Sequence, residues 1–90
     1  MKKKQLRSLL DAEISGLSRK PYATLVEELS DVVAYERGEG SGYHQFEIQM
    51  IEHERDYVHV IVSIDDGSIL KSMSPISRGF IVHRDGRVEV

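Results

Sequence analysis

The feature that most constrains this chain is an amphipathic β-hairpin between Gly42 and Gly67. On each side of a polar break at 52–56, apolar and polar residues alternate over the length of a strand. The alternating apolar positions are Phe46, Ile48, Met50, Val58, Val60, Val62 and Ile64. Successive side chains of a strand point to opposite faces, so this period of two predicts two paired strands with one buried face. The protein is therefore expected to centre on a half-buried antiparallel sheet.

The pairing of these two strands is restricted by the need to keep their apolar faces together. The predicted pairs are Met50 with Val58, Ile48 with Val60 and Phe46 with Val62. A slip of one residue would turn the apolar set of one strand toward water, so the faces are strongly specified. The turn signal Asp65-Asp66-Gly67 ends the second strand.

The length of the chain, 90 residues, predicts a single domain spanning 1–90 with a thin core. The absence of cysteine excludes disulfides and thiolate metal sites. The apolar stretch at 6–17 is broken by Asp11 and Glu13, so neither a membrane span nor a signal peptide is predicted. A soluble cytoplasmic protein is expected. A small domain without disulfide bonds often buries additional apolar surface by self-association, which favours a homodimer.

The net charge of −3 hides an uneven distribution. The chain is basic up to Lys20, acidic between Glu27 and Asp66, and basic again toward its end. Two interpretations are open: a basic helix that lies near an acidic sheet edge, or basic ends that bind an anionic partner. The basic residues that could contact nucleic acid are Lys2, Lys3, Lys4 and Arg7. The acidic middle would repel a polyanion, so nucleic-acid binding is disfavoured.

Two helices are predicted before the hairpin. Apolar residues recur at helical spacing from Leu6 to Leu17, which predicts a first helix from about Lys3 to Gly16. A short second helix from Pro21 or Tyr22 to Leu29 has an apolar stripe of its own.

Further strands are predicted on both sides of the hairpin, at 31–36, 68–73, 79–83 and 88–90. The glycine-rich stretch 37–42 is expected to be a loop. The predicted fold is therefore α+β, with two N-terminal helices packed on a four- to five-stranded antiparallel β-meander.

The outward face of the hairpin is the first candidate site. Its candidate interface residues are Tyr43, Ile51, Tyr57, His59 and Ile61. This face is too apolar for a purely solvated surface and too polar for a core, and tyrosine-rich mixed surfaces are typical of protein interfaces. Three interpretations are open: an interface with another protein or an identical copy, a cover formed by the C-terminal residues, and plain exposure.

The loop before the last strand is the second candidate site. Serine hydroxyls and two cations there could hold a phosphate or carboxylate together with the Asp-Asp turn. The candidate ligand-binding residues are Asp65, Asp66, Lys71, Ser74, Ser77 and Arg78. The spacing is not that of a P-loop, and a serine-rich loop that merely joins two strands explains the same residues.

The pieces Ser63-Ile64-Asp65-Asp66-Gly67, Pro75-Ile76-Ser77 and Phe80-Ile81 resemble a small bacterial family of conserved, uncharacterised proteins. The resemblance covers roughly the second half of the chain and implies helices first and a β-meander after them. It implies no activity.

The sequence therefore predicts a non-catalytic protein-interaction or binding module that self-associates through a sheet face or edge. The alternative is a small anionic-ligand-binding protein or enzyme that uses the loop from Lys71 to Arg78. The four histidines are scattered, and no cofactor motif or metal-ligand spacing is present, so no cofactor or metal is predicted.

Overall fold

The computed structural model describes residues 1–67 and 76–90. Helices α1 (Lys3–Leu17) and α2 (Tyr22–Glu28) precede strands β1 (Val33–Arg37), β2 (His44–His53), β3 (Tyr57–Asp65), β4 (Ile76–His83) and β5 (Val88–Glu89). Two helices followed by an antiparallel sheet confirm the predicted α+β class. The strand predicted at 68–73 lies outside the described residues.

The five strands are neighbours in the order β1-β2-β3-β4-β5, and each adjacent pair is antiparallel. Among the described strands, β3 is therefore central, while β1 and β5 are the edges. Residues opposite each other on neighbouring strands share a face of the sheet. The C-terminal residues Val88 and Glu89 pair with Val82 and Ile81 of β4, so they extend the sheet at its edge.

One face of the sheet packs against both helices. α1 buries Leu6, Leu10 and Ile14 along one stripe, and α2 buries Leu25, which is 0% exposed. The strand residues in the same core cluster are Phe46, Ile48, Val58, Val60, Val62, Ile64, Phe80 and Val82. The helices thus pack on the apolar residues that alternate along the hairpin.

The register of the central hairpin differs from the prediction by two residues. Met50 lies opposite Val60, Ile48 opposite Val62 and Phe46 opposite Ile64, so the predicted pairs are wrong. The strands stay paired as far as His53 opposite Val58, so the turn is shorter than the predicted pairs require, and a β-bulge between Met50 and Glu52 makes Ile51 an extra residue of β2. A shift of two residues leaves Phe46, Ile48 and Met50 on their predicted face, so alternation alone cannot detect it.

Helix α1 is oriented over the sheet by ion pairs on its two flanks. Asp11 lies 2.5 Å from Arg78 of β4, and Glu13 lies 2.6 Å from Arg37 of β1. Residues two apart on a helix project about 200° from each other, so the two carboxylates reach opposite sides. Both pairs are partly exposed, so each contributes on the order of 0–1 kcal/mol and mainly fixes orientation.

Helix α2 is held to the turn between β2 and β3 by Tyr22, which is 8% exposed. Its hydroxyl donates to the Glu54 carbonyl at 2.7 Å and lies 2.9 Å from His53 Nε2. A hydroxyl has one proton and a carbonyl can only accept, so His53 is the donor in the second bond. The guanidinium of Arg84 lies over the Tyr22 ring, 5.1 Å from its centroid.

Candidate functional site

The face of the sheet opposite the helices is the candidate site, and we call it the open face. Both helices join the core on the other side, and no other described element covers this one. The register assigns to it Ala34, Glu36, Gln45, Glu47, Gln49, Glu52, Tyr57, His59, Ile61, Ser63, Asp65, Ser77, Gly79, Ile81, His83 and Glu89. Its large apolar side chains are half-buried by their neighbours rather than by a second layer.

The centre of the open face is an apolar patch around Gly79. Gly79 lies opposite Ile61, and the next row pairs Ile81 with His59. A Cβ atom on Gly79 would stand only 2.9 Å from both His59 Nε2 and Ile61 Cδ1. Because Gly79 has no side chain, the ends of the His59 and Ile61 side chains occupy the space beside it.

Beside this patch is a small acidic hollow of about 100 Å³, lined by Gln45, Glu47, Ser63, Ile64 and Asp65. The Gln45 amide donates to Asp65 at 3.2 Å, and the Ser63 and Ser77 hydroxyls are 2.7 Å apart. Both carboxylates are on the open face, and Glu47 is exposed. The hollow has the size and charge to accept a single ammonium or guanidinium group.

The other end of the open face is formed by Tyr57 and His83, which lie opposite each other with ring centroids 6.1 Å apart. A hydrogen bond to Glu52 raises the pKa of the Tyr57 phenol. His83 Nε2 lies 2.5 Å from Glu89 of β5. This end is therefore amphipathic, with aromatic rings beside carboxylates.

The predicted interface residues are partly brought together. Tyr57, His59 and Ile61 lie on alternate positions of β3 and share the open face. Tyr43 lies at the far end, where its hydroxyl is 3.0 Å from Glu36, and this hydrogen bond raises the pKa of Tyr43. Ile51 is in the bulge and is 48% exposed.

One of the three interpretations of this face was that the C-terminal residues cover it. The described C-terminal residues do not cover it. Val88 and Glu89 continue the sheet beside β4 instead of crossing it. Among the described residues, the open face therefore remains available to a partner.

The predicted anion-binding residues are spread over different parts of the fold. Asp65 and Ser77 lie on the open face, whereas Asp66 lies 2.8 Å from the amino group of Met1. Arg78 is on the helix side in its ion pair with Asp11. Lys71 and Ser74 lie outside the described residues, so their part in an anion site stays a prediction.

Sequence reasoning missed the contribution of β4 to the candidate site. Ser77, Gly79, Ile81 and His83 alternate with the buried Phe80 and Val82. That alternation is present in the sequence and is the signal that could have placed them on the outward face. What the sequence does not reveal is that β4 pairs with β3, which puts Ile81 beside His59.

Within the described residues, no group of three or more histidine or acidic side chains has an arrangement that could hold a metal ion. Neither described helix combines the length and apolarity needed to cross a membrane. Comparisons of the chain with protein-family models, with curated proteins and with solved structures find no match. The family resemblance of the second half of the chain therefore stays a prediction.

Proposed function

We propose that the protein is a non-catalytic interaction module that binds a partner protein through its open face. The observation that carries this proposal is the half-buried apolar patch of Ile61, Ile81 and Gly79 with the acidic hollow beside it. An apolar centre with a polar rim is the usual anatomy of a protein interface. A partner would cover the patch with an apolar side chain.

The charge of the open face favours a basic partner over a second copy of the same face. Its carboxylates are those of Glu36, Glu47, Glu52, Asp65 and Glu89, and no lysine or arginine occupies its described strand positions. Two such faces in contact would place carboxylates against carboxylates, which is unfavourable. A lysine or arginine of a partner would instead enter the hollow between Glu47 and Asp65.

Peptide selection tests this proposal without a known partner. The immobilised protein is used to select from a phage-displayed library of random peptides, and the enriched peptides are synthesised. We expect sequences that combine lysine or arginine with an aliphatic or aromatic residue. Their affinity should fall at least about tenfold with Ile61→Glu, because this change puts a charge in the centre of the contact.

Two further variants separate the hollow from general surface charge. Glu47→Gln should weaken binding and reduce its dependence on salt, because one screened charge pair is lost. Glu27→Gln removes the same charge from an exposed position on α2 and should change neither quantity. Enriched peptides that bind Ile61→Glu as tightly as the unmodified protein, or no enrichment at all, would contradict the proposal.

A further inference from the structure

We propose that a second copy of this chain adds to the sheet at β1, so that two β1 strands pair antiparallel and the two sheets become one. This goes beyond the proposed function, because it uses the edge of the sheet and leaves the open face free. The pairing is centred on Ala34 of β1 and the apolar patch on Gly79 of β4, so either proposal can be wrong while the other holds.

The free side of β1 is suited to accept another strand. Among the described strands it pairs only with β2, over all five of its residues and in an unbroken register. Natural edge strands are usually protected by charged side chains, proline, a bulge or extreme shortness. In β1 the charges are confined to its last two residues, and Val33, Ala34 and Tyr35 have none of these protections. The opposite edge strand β5 has only two residues.

The helix side of β1 also has room for a neighbour. The helices make their main strand contacts with β3 and β4, and a cavity of about 510 Å³ lies between them and β1. Leu17, Leu29 and Ile48 form apolar parts of its wall, and Val33 and Tyr35 of β1 border it. A strand that pairs with β1 would direct every second side chain toward this cavity.

The residues around β1 are complementary to themselves in one register. With Ala34 opposite Ala34 of the second copy, Val33 faces Tyr35 and Asp31 faces Arg37 of that copy, each contact occurring twice by symmetry. Apolar pairs and opposite charges across strands stabilise a sheet. Asp31 has no ion pair among the described residues. Val32, which is 55% exposed, would be covered in the same contact.

The neighbouring registers that keep the faces together are less favourable. A centre on Tyr35 would place Asp31 opposite Glu39 of the second copy, which sets two acids against each other. A centre on Val33 would require Arg37 to face Leu29 of the second copy, and Leu29 is only 5% exposed. The charge of Glu39 and the burial of Leu29 therefore favour the register centred on Ala34.

Single cysteines can test the pairing because the chain has no cysteine of its own. Ala34 is exposed, so Ala34→Cys should leave the fold intact, as circular dichroism can verify. Under oxidised glutathione, the two introduced thiols meet at the symmetry axis and lie within disulfide range. We expect at least about fivefold more linked dimer than from Ala23→Cys, an exposed position on α2 that reports random collision.

A matched control on the same strand tests the register in which the two β1 strands pair. In Glu36→Cys the two thiols are displaced by four residues, roughly 13 Å along the strand, which is too far for a disulfide. This variant alone should stay at the collision level, and its mixture with Val32→Cys should link. Ala34→Cys at the collision level overturns the pairing, and equal linking of Ala34→Cys and Glu36→Cys overturns the register.

Discussion

Tyr35 shows at the scale of one residue how a partly buried polar group links stability to pH. Its hydroxyl donates to Glu13 of α1, and the Arg37 guanidinium lies 4.9 Å from its ring centroid. Burial raises the pKa of Tyr35 above its ordinary value of 10.0, and Glu13 raises it further, against the opposing effect of Arg37. The folded state therefore keeps a proton that the unfolded state releases in alkali.

The consequence is a loss of stability above pH 10 that depends on this phenol. A raised folded pKa contributes stability that is present below the unfolded pKa and is lost as the pH rises through the folded value. We expect urea unfolding to show a free energy of unfolding that falls as the pH rises above about 10, by at most about 1.4 kcal/mol per pH unit for one proton. Tyr35→Phe should flatten this fall.

Tyr43→Phe is the matched control for Tyr35→Phe. Glu36 raises the pKa of Tyr43 as well, but this phenol is solvated, so screening should make its effect on the slope smaller. An unchanged slope in Tyr35→Phe, or an equal flattening in both variants, would contradict the role given to burial.

At the scale of the element, α2 depends on the rest of the molecule for its existence. A helix of seven residues is unstable alone, so its contacts decide whether it forms. Tyr22 supplies two of these contacts through the His53 side chain and the Glu54 carbonyl. Tyr22→Phe keeps the ring and removes both hydrogen bonds, at a cost of about 1–2 kcal/mol.

Hydrogen exchange can show where that cost falls. We expect the amides of α2 to exchange about tenfold faster or more in Tyr22→Phe, while those of β3 keep most of their protection. A uniform acceleration across helices and sheet would mean that the hydroxyl stabilises the whole fold and not the docking of α2. Tyr43→Phe, which also loses a tyrosine hydroxyl, should leave α2 unchanged.

The elements also show what the sequence can and cannot predict. The spacing of Leu6, Leu10 and Ile14 located α1, and the alternation in β2 and β3 identified the buried face. The register was wrong because the strands pair as far as His53 and Val58, past a bulge at Ile51, which leaves a shorter turn than the predicted pairs require. Periodicity carries face information, and a bulge depends on local backbone geometry that periodicity does not encode.

At the scale of the whole molecule, charge complementarity within the chain runs partly opposite to the prediction. The ion pairs beneath α1 join acids on the helix, Asp11 and Glu13, to arginines on the sheet. The Met1 amino group, in contrast, follows the expected direction, toward Asp66. The net positive charge of the N-terminal segment did not reveal which of its side chains face the sheet. The two acids on the flanks of α1 are outnumbered by the basic residues at its exposed end.

The two proposed surfaces combine into one prediction for the assembled molecule. In the register centred on Ala34, residues of the open face lie opposite residues of the open face of the other copy. The open faces of both copies are therefore on the same side of a continuous sheet. The two β3 strands would then lie about 24 Å apart, counted as five strand spacings. A tandem of a selected peptide, joined by a flexible linker that spans this distance, should bind on the order of a hundredfold more tightly than the single peptide.

The gain from the tandem should disappear when pairing at β1 is blocked. Ala34→Lys places like charges opposite each other on the symmetry axis, which disfavours the paired edge. Calorimetry of the single and tandem peptides gives the ratio of their affinities in each variant. That ratio should fall toward one in Ala34→Lys and stay high in Ala23→Lys, which adds the same charge on α2. An equal ratio in both variants would mean that the open faces are not brought together by β1, even if each face binds its peptide as proposed.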